Sequence, residues 1–184
     1  MLLNSKYNNF NFRFHPDFVS KQIEEKYKQF ISRLSVPFDR VIDFLNWSIQ
    51  SISWPEIQIQ TVEKVGKYYT KNYQNGFRSP KMYSQEITVD FKTTESFLNY
   101  FIIQDIVMQY LDESDKREYR TKFPDFEINL FDYDGNQLLT YRFCDIHVSN
   151  LTALELSYST NNPEFKTFSL TFKYDTLSID TNFD

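Results

Sequence analysis

Residues 126–175 read FEINLFDYDGNQLLTYRFCDIHVSNLTALELSYSTNNPEFKTFSLTFKYD, and their alternation decides the fold. Phe126, Ile128 and Leu130 take every second position, which puts them on one face of a strand. Asp132-Tyr133-Asp134-Gly135-Asn136 follows, and its Asp-Gly step supplies a turn that tolerates positive φ. Leu139, Tyr141 and Phe143 then return along a second strand. The apolar parity shifts at Ile146 and Val148, which predicts a bulge near Cys144-Asp145. Leu154, Leu156 and Tyr158 form the next strand, Asn161-Asn162-Pro163 turns the chain, and Phe168, Leu170, Phe172 and Tyr174 complete a fourth. Short antiparallel strands at hairpin spacing through 126–175 argue for a β-barrel or β-sandwich.

Upstream, the same period recurs at Ile87, Val89 and Phe91, at Ile57 and Ile59, and at Phe10, Phe12 and Phe14. Helical spacing lies between these strands. From Ser20 to Leu34 the apolar positions are Ile23, Tyr27, Phe30, Ile31 and Leu34, a single stripe with lysines and glutamates opposite. Ser35-Val36-Pro37 breaks that helix, and a second is predicted from about Asp39 to Ile52, with Val41, Ile42, Leu45, Ile49 and Ile52 inward. Together they predict an N-terminal helical hairpin over 20–52. A third helix opens after Thr93 or Thr94 with the stripe Phe97, Tyr100, Phe101, Gln104, Val107, Met108 and Leu111. Leu98, Ile102, Ile103 and Ile106 widen that stripe, so this helix is expected to be the most deeply covered. The class is therefore α+β: an antiparallel barrel or sandwich with one packed helix and an N-terminal helical hairpin, in one domain spanning 1–184.

Composition narrows the function. The chain has 184 residues with nineteen Phe, thirteen Tyr and two Trp, enough aromatic surface for a core. Three glycines stand where average usage gives about a dozen. Scarce glycine, with no GxGxxG and no GxxxxGK[ST], argues against a phosphate-cradling loop. A net charge of −5 disfavours general duplex binding through counterion release. A single cysteine, Cys144, removes any intrachain disulfide and any Cys-rich zinc site. Apolar runs are too short to span a bilayer, and MLLNSKYNNFNFRF has no secretory h-region, so a soluble protein of a reducing compartment is expected.

No catalytic constellation emerges. His15 and His147 are the only histidines, no HExxH or Gly-x-Ser-x-Gly occurs, and His147 beside Asp145 reads as an ordinary strand histidine. Asp132, Asp134 and Asn136 resemble a fragment of a calcium loop, but the twelfth position falls on Phe143, and a hairpin turn accounts for them. No enzyme, cofactor or metal is expected.

Residues 64–83, KVGKYYTKNYQNGFRSPKMY, depart from the rest. They carry five cations and no acid, which leaves −10 on the remainder of the chain. A solvated loop, a nucleic-acid contact through cations and stacking rings, and a docking arm that lies on the acidic surface of a neighbouring copy are all compatible with this pattern. The charge split favours the arm, because a chain basic in one loop and acidic elsewhere complements itself head to tail. The candidate interface residues are Lys67, Tyr68, Tyr69, Lys71, Tyr73, Arg78, Lys81 and Tyr83.

Over roughly 48–175 the chain resembles the tail tube proteins of contractile-tailed bacteriophages. The matching features are the long basic loop ending in FRSPKMY, the strand EITVDF, an amphipathic helix, and the run with Asp134-Gly135-Asn136, Phe143, Leu154 to Tyr158 and Phe168 to Tyr174. The resemblance implies a small β-barrel with one flanking helix and a ring of six copies whose bore conducts genome DNA. It also implies partners among other tail or baseplate proteins, no membrane, and a place in the virion tail after assembly in the host cytoplasm. The 20–52 hairpin replaces a shorter connection of ordinary tube subunits and points to a specialised ring at a tail end, a baseplate or a short tail. The alternative is a monomeric baseplate-associated or adhesion β-domain that binds other virion proteins.

Overall fold

The computed structural model describes residues 9–55, 61–65, 72–76, 85–115, 123–132, 134–154 and 166–181. The chain opens with β1 (Phe10–Arg13), a 3-10 turn at Pro16–Phe18, and the helices α1 (Lys21–Ile31) and α2 (Val41–Ser48). It continues through β2 (Ile49–Ser53), β3 (Thr61–Val65), β4 (Asn72–Gly76) and β5 (Glu86–Lys92) to α3 (Leu98–Asp115). The strands β6 (Phe126–Phe131), β7 (Gln137–Cys144), β8 (His147–Leu151), β9 (Thr167–Lys173) and β10 (Thr176–Thr181) complete it.

The strands form two four-stranded antiparallel sheets, ordered β1-β6-β7-β10 and β2-β5-β9-β8, with β3-β4 as a separate ribbon. The α+β class holds. Among the described residues the two sheets do not join into a closed barrel, so the sandwich describes the architecture.

Aromatic rings lock the sheets face to face. Phe14 stacks on Phe91 at 6.1 Å, Phe126 meets Phe172 edge-on at 5.5 Å, and Phe143 meets Tyr174 at 5.0 Å. Offset and edge contacts of this kind are the favoured ring geometries. The three helices share a layer. Phe168 of β9 receives Tyr100 of α3 at 5.2 Å, and Tyr110 stacks on Phe123 at 3.8 Å.

Two expected boundaries move. The second helix ends at Ser48 instead of near Ile52, because the Ser48 hydroxyl donates back to the Leu45 carbonyl at 2.8 Å and the chain turns extended. Ile49 and Ile52 then pair with Phe91 and Val89 as members of β2. The parity shift after Phe143 is not a bulge within one strand. Asp145 adopts φ +57°, and the chain leaves the β7 sheet for the β8 sheet. The reverse crossing lies beside it: β9 gives way to β10, and the Asp175 N–H donates to the Cys144 carbonyl at 3.2 Å. Strands that switch sheets at corners make these two steps the seam of the sandwich. The expected strand around Leu156 and Tyr158, and that at Ile57 and Ile59, lie outside the described residues.

Candidate assembly surface

The hairpin turn after β6 is built as its sequence requires. Gly135 sits at φ +88°, and Asp132 accepts the Asn136 N–H at 2.8 Å and its side-chain amide at 3.0 Å. These bonds from Asn136 hold the Asp132 carboxyl below its ordinary value. The acidic cluster is thus a turn. Among the described residues no group of three or more His, Cys, Asp or Glu could hold a metal. The His15 imidazole accepts the Asp17 N–H at 3.3 Å and caps the Pro16–Phe18 turn, while His147 pairs with Lys173 at the start of β8. Burial, then the neighbouring Asp125, pushes the Cys144 thiol up, away from thiolate chemistry. No described helix is long and apolar enough to cross a membrane.

Of the candidate interface residues, Lys67, Tyr68, Tyr69, Lys71, Arg78, Lys81 and Tyr83 lie outside the described residues. Tyr73 belongs to β4, whose backbone pairs with β3 and sets Tyr73 opposite Lys64. Part of the stretch expected as a loop is therefore a two-stranded ribbon, hydrogen-bonded separately from both large sheets.

The helix α3 covers the widening positions of its expected stripe and leaves part of the stripe itself outside. Ile102, Ile103, Ile106 and Asn99 are fully buried, whereas Phe101, Gln104, Met108 and Leu111 face solvent. Asn99 sets the rotation. Its amide donates to the Lys92 carbonyl at 2.8 Å, and its side-chain oxygen accepts from the Thr94 N–H at 3.2 Å and the Thr94 hydroxyl at 3.0 Å. This buried clasp ties the end of β5 to the first turn of α3, so the face carrying Asn99 must turn inward. On one side α1 runs antiparallel to α3: Ser20 donates to Gln109 at 2.6 Å, and the Tyr27 hydroxyl donates to Asp105 at 2.6 Å. Lys26 pairs with the same carboxylate.

Other exposed apolar side chains lie elsewhere. Trp54 meets Tyr141 edge-on at 4.5 Å, and Tyr141 pairs with exposed Ile179 of β10. Among the described residues, β1, β10, β2 and β8 each have one hydrogen-bonded neighbour and form the margins of the two sheets. Sequence reasoning missed β10 altogether, although Leu177 and Ile179 alternate with polar residues; Tyr174-Asp175 looked like the end of the pattern.

Neither protein-family models nor curated protein sequences match the chain. Solved structures do. A chain of the anti-feeding prophage cap, described as the AFP tube terminating cap, aligns over 98% of this chain and 93% of its own with a TM-score of 0.55 at 12% identity. This chain has the fold of that cap protein. A chain of the anti-feeding prophage baseplate aligns over 98% of both, with a TM-score of 0.49 at 11% identity. A chain of the sheath/tube terminator of an extracellular contractile injection system, PVC, aligns over 72% of this chain and 85% of its own, with a TM-score of 0.45 at 17% identity. The cap fold spans both sheets and the helical layer of the present chain, the 20–52 hairpin included.

Proposed function

We propose that this protein is a non-enzymatic structural subunit that associates with copies of itself into a ring at an end of the tube of a contractile tail or injection particle. The observation that carries this is the full-length correspondence with a tube-terminating cap chain. A match spanning the N-terminal hairpin favours a terminal ring over a repeating tube subunit, since the hairpin is where the sequence departs from the tube pattern.

The mechanism is assembly. Strand margins with one hydrogen-bonded neighbour among the described residues offer backbone groups that a neighbouring copy would pair with. Exposed Phe101, Met108, Leu111, Trp54 and Ile179 supply apolar area that contact with neighbours would remove from water. The basic stretch 64–83, with Lys67, Tyr68, Tyr69, Lys71, Tyr73, Arg78, Lys81 and Tyr83, is the arm that reaches the acidic surface of the next copy. In a phage, the ring has six copies and sits in the virion tail after assembly in the host cytoplasm. Genome DNA passes through an acidic bore, held off the wall by like charge.

Native mass spectrometry and negative-stain imaging of concentrated protein test the proposal. Closed annular particles are the expected result, and Lys67→Glu, Arg78→Glu and Lys81→Glu together block them while circular dichroism stays unchanged. A monomer at every concentration, even with tube or baseplate proteins added, sinks the ring and leaves the monomeric binding domain. Rings that persist in the triple variant remove the arm from the interface.

A further inference from the structure

The chain passes from β5 to α3 through a 3-10 turn, Glu95–Phe97, whose backbone is strained. Ser96 and Phe97 adopt φ +57° and +55° in succession. Left-handed backbone presses the Cβ of an L-residue against the following carbonyl, so such residues occur singly and are usually Gly or Asn. Neither stands here, and Thr94 ahead of Glu95-Ser96-Phe97 has the composition of an ordinary helix start. Strain of this kind persists where the surroundings hold it, and it marks elements that have a second arrangement within reach.

The kink decides where Phe97 lies. As folded, Phe97 forms part of the wall of a groove between the α1–α2 hairpin and this turn, with Leu34 and Phe38 in the same lining. The turn is held from both sides. Ser35 of the hairpin hydrogen-bonds Glu95, and the Thr93 N–H and hydroxyl both bind the Lys166 carbonyl, at 2.9 and 2.7 Å. Right-handed backbone at Ser96 and Phe97 would instead extend α3 by about one turn. Its phase then moves Phe97 to another surface: Phe97, Phe101, Gln104, Met108 and Leu111 are spaced 4, 3, 4 and 3, the repeat of a single helix face. The last four of these face solvent, so Phe97 would join the outer stripe at its open end. Thr94 is already prepared for that state. It has the extended backbone of an N-cap, φ −100° and ψ 179°, yet its hydroxyl makes no capping bond to the present turn and accepts the Asn99 N–H at 3.4 Å. In the longer helix the same oxygen would accept the Phe97 N–H.

We propose that the β5–α3 junction is a two-state joint: Phe97 sits in the groove wall of the free subunit and moves into the outer stripe of α3 when a second copy covers that stripe. The coupling to a second copy rests on the ring reading above, whereas the joint itself belongs to the single chain. A neighbour lying on the stripe meets one more aromatic ring in the longer helix. It therefore binds that state better and draws the population towards it. The bonds from Ser35 and Thr93 keep free subunits in the kinked state, which lowers their apparent affinity for one another by the fraction that is competent.

The test uses the full chain with one exposed side chain exchanged two ways. Ser96→Gly relieves the left-handed backbone and weakens the helix, while Ser96→Ala favours the longer helix. Ser96→Gly is expected to raise the melting temperature by about 2 °C. In NMR of the dilute monomer, Ser96→Ala combined with Ser35→Ala is expected to move the Phe97 Cα resonance towards its helical value. In sedimentation, the Ser96→Ala chain should associate with itself at least about tenfold more tightly than the Ser96→Gly chain. A melting temperature that does not rise with glycine, or a Phe97 resonance that stays in place in every variant, overturns the joint. Equal association of the two chains overturns its coupling to assembly. If no variant associates, the ring reading is lost and the coupling with it. The joint is still decided by melting and NMR, which need only the monomer.

Discussion

The two long faces of α3 are both apolar, and they serve different ends. Ile102, Ile103 and Ile106 have no exposed area, while Phe101, Met108 and Leu111, on the opposite side, are each close to half exposed or more. Hydrophobicity therefore does not say which side of this helix is inside. A buried polar clasp does: Asn99 must keep its bonds to Lys92 and Thr94, and three isoleucines follow it inward. The outer stripe is left as surface that the fold does not need, which is why it is available to an assembly.

Truncation separates the faces most sharply. Ile103→Ala is expected to lower unfolding free energy by about 2–5 kcal/mol, since Ile103 is a fully buried member of the core and its truncation leaves a cavity there. Met108→Ala on the outer side is expected to change it by about 0.5 kcal/mol or less. Urea unfolding of both variants checks the contrast, and comparable losses would mean that Met108 also belongs to the core. Next in size is the clasp. Asn99→Ala leaves the Lys92 carbonyl without the amide that meets it and is expected to cost about 1–3 kcal/mol. Hydrogen exchange is the sharper readout, because amides in the first turn of α3 should lose protection before those of β9.

Much of this architecture was legible in the residues, for reasons that differ by region. Strands with one covered face advertise themselves by period two, so β5, β6, β7 and β9 emerged with nearly their observed limits. The first helix was legible because its charged side is continuous and Ser20 accepts the Ile23 N–H at its start. The rotation of α3 was not legible, because a helix apolar nearly all round gives periodicity nothing to choose between. The corner at Asp145 mimicked a bulge, since both exchange the inward and outward parity of a strand. β10 escaped because it resumes on the other sheet directly after Asp175, with no turn residues of the usual kind. As for the surface, an exposed stripe and a strained groove wall have no period of their own. Of the eight candidate interface residues only Tyr73 falls in a described element, so sequence charge remains the ground for proposing that arm.

The border between α1 and α3 gives a smaller, pH-dependent effect. Burial raises the Asp105 carboxyl, but hydrogen bonds from Lys26 and Tyr27 outweigh it and bring its folded-state value below the ordinary 3.8. Burial, with the Asp105 carboxylate next, pushes the Tyr27 hydroxyl up. For a carboxyl lowered by folding, the stabilisation is present above the unfolded value and disappears as pH falls through the folded one. Asp105 is 35% exposed, so solvent screening keeps the contribution modest. The melting temperature of Asp105→Asn should therefore lie slightly below that of the unmodified protein at neutral pH, and the gap should close in acid below 3.8. A gap that stays constant through that range would assign the helix contact to packing and not to the carboxylate.

The least effect on the isolated chain is expected from the outer stripe, and there a null result carries the most information. Phe101→Ser, Met108→Ser and Leu111→Ser combined remove apolar area that already faces water, so the transfer term that penalises core truncation is largely missing. Serine is a slightly poorer helix former than Met or Leu, worth a few tenths of a kcal/mol at each of those two sites, and about equal to Phe. The melting curve of the monomer should therefore fall by a few degrees at most. Association is where the stripe should register. If it is covered by neighbours in the assembled particle, the triple variant remains monomeric at concentrations where the unmodified protein forms rings. If rings form equally well and the variant merely gains solubility, the stripe lies outside the subunit contact. The proposed ring would then rest on the sheet margins and the proposed 64–83 arm, without help from α3.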